Sequence, residues 1–175
     1  MKVSYWYNNQ DIRVVEISTP EPGPKEMLVK VLSCGICGSD VVEWYRLPRA
    51  PLVQGHEIGG QVVRVGRSVE TFKEGDRVFI PPKIPCGECF YCERHLENLC
   101  ENLQFINGAY AEFIKIPERI VRQNLLILPE NVSFREAALV EPLACVLRAA
   151  EKTGIEEGDT VVVIGMGPIG LMFVQ

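Results

Sequence analysis

The sequence predicts a mainly β chain with added helices, an α+β fold in which a small barrel of short strands precedes the opening strand, turn and helix of a parallel sheet. Three observations carry this. Short β-branched or aromatic runs alternate with turn residues through most of the chain, four cysteines crowd into one loop, and a glycine-rich turn follows a continuous β-branched run near the C-terminal end.

The strand runs are Lys2 to Tyr7, Ile12 to Ile17, Met27 to Ser33, Gln61 to Val65, Arg77 to Ile80, Tyr110 to Ile116 and Leu125 to Leu128. Their side chains suit a pleated, half-buried surface. Turn chemistry separates them, as in Pro20-Glu21-Pro22-Gly23-Pro24 and Glu74-Gly75-Asp76. Many short strands at irregular spacing point to a small barrel rather than to repeats. The pattern changes at Ser133-Phe134-Arg135-Glu136, which has the form of a capping box and opens a helix. Pro142 should interrupt that helix, and a second half from Leu143 to Lys152 should stop at Gly154. Thr160-Val161-Val162-Val163-Ile164 then reads as a strand buried on both faces. It runs into Gly165-Met166-Gly167-Pro168-Ile169-Gly170 and a helix start at Leu171. This is G-x-G-x-x-G in strand-to-helix context, where glycines permit the tight turn, the approach of a pyrophosphate and close packing of helix on strand.

Composition narrows the partners. The 175 residues make one full domain and the edge of a second. Eighteen Lys plus Arg against twenty-three Asp plus Glu, a net charge of -5, provide no basic stripe for nucleic acid or an anionic membrane. The N-terminal residues form no apolar signal segment, and Val161 to Val174 is short for a membrane span and broken by Gly165, Gly167, Pro168 and Gly170. The expectation is a cytoplasmic chain with no nucleic acid or membrane partner.

Seven cysteines in such a chain call for metal. Cys86, Cys89, Cys92 and Cys100 are spaced so that one loop can wrap a single ion. Four thiolates close a tetrahedron around zinc and leave no room for substrate, so the role would be structural. Two readings compete. An iron-sulfur cluster also uses closely spaced cysteines, and two disulfides would need an oxidising compartment. His95 lies in the loop, but four thiolates already complete a shell.

A second group keeps a position open. Cys37, within Cys34-Gly35-Ile36-Cys37-Gly38-Ser39-Asp40, and His56-Glu57, ahead of a glycine-marked strand pattern, provide a thiolate, an imidazole and a carboxylate. Three such ligands leave zinc a fourth position for water or substrate. On spacing alone Cys37 and His56 read more readily as core residues than as ligands. Their neighbours favour the metal: Asp40 can accept the second N–H of His56, and Ser39 can carry a proton from an alcohol. Glu141, in Val140-Glu141-Pro142-Leu143-Ala144-Cys145, is a further carboxylate in an apolar stretch that needs a partner or a metal.

Taken in order, Cys37-Gly38-Ser39-Asp40, Gly55-His56-Glu57, the four-cysteine loop, Glu141-Pro142-Leu143 and Gly165 to Gly170 resemble the N-terminal half of a zinc-dependent medium-chain dehydrogenase, of the alcohol, polyol and threonine dehydrogenase group. The resemblance implies a GroES-like, partly open barrel over residues 1–152 with a structural zinc lobe at about 81–103. Residues 153–175 would then begin a Rossmann domain, truncated here. It implies two Zn2+ per chain, one on Cys37, His56, Glu57 and Glu141, the other on Cys86, Cys89, Cys92 and Cys100. NAD or NADP would lie against Gly165, Gly167, Pro168, Ile169 and Gly170, with Cys37, Ser39, Asp40, His56 and Glu57 as the catalytic group. A small alcohol or polyol would be the substrate, and the full-length enzyme a homo-dimer or tetramer. Relatives often place histidine five residues beyond the zinc cysteine, where this chain has Val42. The length implies a fragment, inactive alone.

Overall fold

The computed structural model describes residues 1–123 and 125–175. β1 (Lys2–Asn8) and β2 (Asp11–Glu16) form an antiparallel hairpin. Its turn is fixed where Asn8 Oδ1 accepts from Gln10 N at 2.8 Å, the short amide side chain standing in for a backbone turn contact. Val3 and Trp6 point inward and are buried. β3 (Met27–Gly35) leads into two four-residue helices, α1 (Gly38–Val41) and α2 (Glu43–Arg46), and then β4 (Leu52–Val53), which pairs with the free side of β1.

The larger sheet uses β5 (Glu57–Val65) and β6 (Arg77–Ile80). β7 (Lys83–Ile84) and β8 (Gln104–Phe105) form a separate pair that brackets the cysteine loop. β9 (Phe113–Ile116), α3 (Glu118–Gln123) and β10 (Leu126–Ile127) follow. The five strands lie in the order β10-β6-β5-β3-β9, all neighbours antiparallel. Met27, Val29, Ile58, Val62, Val78, Ile80, Ile114 and Ile116 fill the core against Ile120 of α3.

The segment 110–112 joins the two sheets. On one side Ser4 N donates to Tyr110 O at 2.8 Å and Glu112 N to Lys2 O at 3.0 Å; on the other Val31 N donates to Glu112 O at 3.0 Å. This shared stretch makes the partly open barrel expected of many short strands. It also shortens the strand expected from Tyr110, which begins at Phe113, because 110–112 divides its hydrogen bonds between two neighbours.

Two expectations fail. Pro142 does not interrupt the helix: α4 (Phe134–Thr153) runs through it. The proline ring is buried. A capping box at Ser133, with Glu136 N donating to Ser133 Oγ at 3.2 Å, and a left-handed Gly154 satisfy the two ends. Packing of α4 on β3, β5 and β6 offsets the roughly 3 kcal/mol that an interior proline costs. Conversely, Thr160 to Ile164 forms no strand, with Val162 80% and Ile164 96% exposed. Among the described residues no neighbour pairs with this run, and a β-branched sequence without a ladder partner gains nothing from extension. α5 (Pro168–Val174) does form, with Pro168 in its first turn, and packs against α4. No helix among the described residues is long and apolar enough to cross a membrane.

Candidate metal centres

The end of the β3–β5 ladder builds the first centre. Gly35 pairs with Glu57 and Cys34 with Ile58, so antiparallel pairing brings the loop after β3 beside the residues that enter β5. Ligand atoms of Cys37, His56 and Glu57 thereby fall within 4.8 Å of one another. A Cβ on Gly35 would strike the Glu57 carboxylate, so only glycine leaves it room. Cys37 caps α1: its Sγ accepts from Ser39 N at 3.5 Å, while its own N–H donates to Asp40 Oδ2 at 3.3 Å.

Asp40 is buried and is the hub behind these groups. Its Oδ1 accepts from Arg46 Nη2 at 2.9 Å and its Oδ2 from Tyr110 Oη at 2.9 Å. Gln54 Nε2 donates to its backbone oxygen at 3.0 Å. His56 Nδ1 stands 3.7 Å from Asp40 Oδ1. This is an electrostatic contact, longer than the direct hydrogen bond expected from the sequence.

Glu57 is buried as well, and its carboxyl is pushed above the usual range by that burial, then by the charges of Glu141 and Asp40, against a lowering contact from Cys37. Crowded negative charge of this kind calls for a cation, and thiolate, imidazole and carboxylate are the donors zinc takes at catalytic sites. The residues present therefore fit a zinc ion. Glu141, on α4, is near enough to act on Glu57 through its charge but lies outside the three-residue cluster. One turn on, Cys145 Sγ donates to Glu141 Oε1 at 3.9 Å, and burial raises that thiol's pKa.

The second centre lies between β7 and β8, where short 3-10 turns at Cys92–Arg94 and Glu97–Leu99 fold the loop on itself. All four sulfurs of Cys86, Cys89, Cys92 and Cys100 gather within 4.8 Å. Cys89 Sγ lies 3.5 Å and Cys86 Sγ 3.9 Å from Cys92 Sγ. Tetrahedral zinc with bonds of about 2.3 Å separates its sulfurs by about 3.8 Å, whereas a disulfide needs about 2.05 Å. A cluster spreads its thiolates over several irons and needs wider spacing. The set fits one zinc. Cys86 N donates to Cys100 Sγ at 3.1 Å, and backbone contacts from Cys92 and Glu101 bring the Cys89 thiol down to about 6. His95 adopts a left-handed φ of 56° with its side chain 93% exposed, in solvent and outside the shell.

The glycine-rich turn is formed although its strand is not. Gly165 has φ +101°, Gly167 caps α5, and a Cβ on Gly170 would meet the Gly165 carbonyl. Pro168, Ile169 and Gly170 make up the first turn of α5. The residues missed from the sequence are Arg46, Tyr110 and Gln54, the partners of Asp40. Only Arg46, a charge inside Trp44-Tyr45-Arg46-Leu47, leaves a local trace.

Residues 23–129 match the model of the alcohol dehydrogenase GroES-like domain, and the chain belongs to that family. It is 37% identical over 186 residues to sorbitol dehydrogenase of Bacillus subtilis, covering 99% of this chain and 51% of the relative. To a zinc-type alcohol dehydrogenase-like protein of Escherichia coli it is 37% identical over 177 residues, covering 94% and 50%. An alcohol dehydrogenase of Escherichia coli solved with NADH superposes with a TM-score of 0.86 at 32% identity, over 99% of this chain and 52% of that one. The chain thus spans about half the length of the curated relatives it matches.

Proposed function

We propose that the protein carrying this chain is a zinc-dependent oxidoreductase that oxidises a secondary alcohol, polyol, sugar or threonine-like hydroxyl with NAD or NADP. The observation that carries this reading is the grouping of Cys37, His56 and Glu57 within 4.8 Å, with Ser39 two residues on from Cys37 and its N–H on the Cys37 sulfur. In it, residues 1–152 form the catalytic domain, with a structural zinc lobe at about 81–103, and 153–175 open the dinucleotide-binding domain. Its partners are a small alcohol and a nicotinamide cofactor, with neither nucleic acid nor membrane. The full-length protein works in the cytoplasm as a homo-oligomer.

Cys37, His56 and Glu57 would hold the catalytic zinc, with Glu141 the nearby spare carboxylate, and Cys86, Cys89, Cys92 and Cys100 the structural one. Bound there, zinc supplies a Lewis acid that lowers the pKa of a hydroxyl toward neutrality, and the nicotinamide supplies the hydride acceptor. The chain's own residues do the rest. Ser39 Oγ accepts the substrate hydroxyl proton while its own O–H proton passes on to water, since Arg46 beside it has no acceptor. Asp40 stands behind His56 and fixes the orientation of its ring. Gly165 to Gly170, apart from Pro168, present backbone N–H groups where a pyrophosphate can approach.

The test is metal and activity together. Elemental analysis should give about two zinc per chain, one of them lost readily to chelator, and the full-length protein should form NADH or NADPH from a polyol or alcohol only when both are present. One zinc per chain, or zinc-independent turnover, would overturn the reading.

A further inference from the structure

We propose that Arg46 is a positioning residue of the Cys37–His56–Glu57 centre, its single buried guanidinium holding both the Ser39 hydroxyl and the Asp40 carboxylate so that the proton carrier and the support of His56 move as one unit. This rests on the zinc oxidoreductase reading and deepens it.

Arg46 ends α2, and its side chain is only 10% exposed. Its Nε donates to Ser39 O at 2.9 Å. Nη2 donates both to Ser39 Oγ at 3.0 Å and to Asp40 Oδ1 at 2.9 Å. A planar guanidinium has its donors in a fixed fork, so three contacts of this kind set the geometry of two adjacent residues at once. The Asp40 side chain is 2% exposed, and a carboxylate so buried needs this cation.

What Arg46 does to each partner differs. On Asp40 it engages Oδ1, the same oxygen that faces His56 Nδ1 at 3.7 Å. Tyr110 Oη and Cys37 N hold Oδ2. With both oxygens anchored the carboxylate cannot rotate away from the imidazole. On Ser39 the guanidinium fills one of the two acceptor sites of the hydroxyl. The remaining acceptor site and the O–H stay directed away from Arg46, which leaves them for a substrate and for water. Arginine has no acceptor and keeps its proton, so the proton taken by Ser39 does not continue to Arg46. The residue orients the relay without joining it.

The test compares the full-length zinc-loaded protein with Arg46→Met and Arg46→Lys. Arg46→Met should weaken zinc at the open centre by about tenfold to a hundredfold, as loss of a partner behind a metal-bound histidine does. Competition with a chromophoric chelator would read this, with the four-thiolate zinc as internal reference. Arg46→Lys keeps a cation beside Asp40 but loses the fork. It should retain most of the zinc affinity, while kcat falls by about tenfold to a hundredfold at unchanged KM for the alcohol, because Ser39 is misplaced. Parent-like zinc affinity in Arg46→Met together with parent-like kcat in Arg46→Lys would overturn the proposal. If Arg46→Met fails to fold, kcat of Arg46→Lys decides, and an unchanged value sinks it. A parent protein holding zinc only on its four thiolates would sink the oxidoreductase reading as well.

Discussion

Glu57 is placed where the fold alone would rather not have a charge. Burial, then Glu141 and Asp40, raise its pKa above the ordinary 4.5, so the folded, metal-free protein holds this proton to higher pH than the unfolded chain does. By linkage, its contribution to stability is fully present below the unfolded value near 4.5 and is lost as pH rises through the folded pKa. Metal-free Glu57→Gln should therefore unfold at a higher temperature than metal-free wild type at neutral pH, and lose that advantage below pH 4.5. With zinc present the order should reverse, because glutamine removes an anionic ligand. Thermal denaturation with and without chelator across this pH range reads both effects. Identical midpoints for the two proteins at every pH would mean that Glu57 carries no such conflict.

Among the elements, the cysteine lobe is the one whose fold depends least on the barrel. Among the described residues β7 and β8 pair only with each other, and α3 pins the loop through Arg119, whose Nε donates to Pro85 O at 3.1 Å and Nη1 to Asn102 O at 2.9 Å. Ile84 and Ile106, flanking the lobe, belong to the main core. Metal binding is thus expected to order the interior of the lobe and not its base, since structural zinc contributes folding free energy where ligands are otherwise unheld. Cys100→Ser should lose one zinc and speed amide exchange across 86–103, while the amides of the β3, β5 and β9 ladder keep their protection. Exchange that rises equally through that ladder would show that the lobe and the barrel unfold as one unit.

For the whole molecule, the two functional halves differ in completeness. The Cys37, His56 and Glu57 grouping stands at the end of the packed β3–β5 ladder, whereas the glycine-rich turn follows a run whose Val162 and Ile164 are 80% and 96% exposed. A dinucleotide gains affinity from the surface around its pyrophosphate contact, and a turn without a paired strand holds its N–H groups in no fixed relation to such a surface. The 175-residue chain by itself should then bind neither NAD nor NADP at about millimolar concentration, and should oxidise no alcohol, while still taking up zinc. Calorimetry with each cofactor checks this; saturable micromolar binding would refute it.

The barrel strands, the four-cysteine loop, the capping box at Ser133 and the glycine-rich turn were legible in the sequence, because each depends on neighbours within a few residues, whereas Cys37 and His56, nineteen positions apart, meet only through the β3–β5 ladder. Strand composition, thiol spacing and cap chemistry act locally, and no distant partner is needed to recognise them. The helices α1 and α2 escaped because four residues carry no period. Arg46, Tyr110 and Gln54 escaped because what defines them is Asp40, and Tyr110 reaches it across seventy residues only after 110–112 has bridged β1 to β3. Pro142 and Thr160 to Ile164 mark the boundary most clearly. Local propensity argued for a break at the first and a strand at the second, yet packing on the sheet carried the helix through the proline, and the absence of a ladder partner left the β-branched run unpaired. Local chemistry determined which residues could bind metal and which runs could be strands. The tertiary structure decided which of them meet, since pairing, burial and buried charge compensation are properties of the assembled sheet and not of any segment within it.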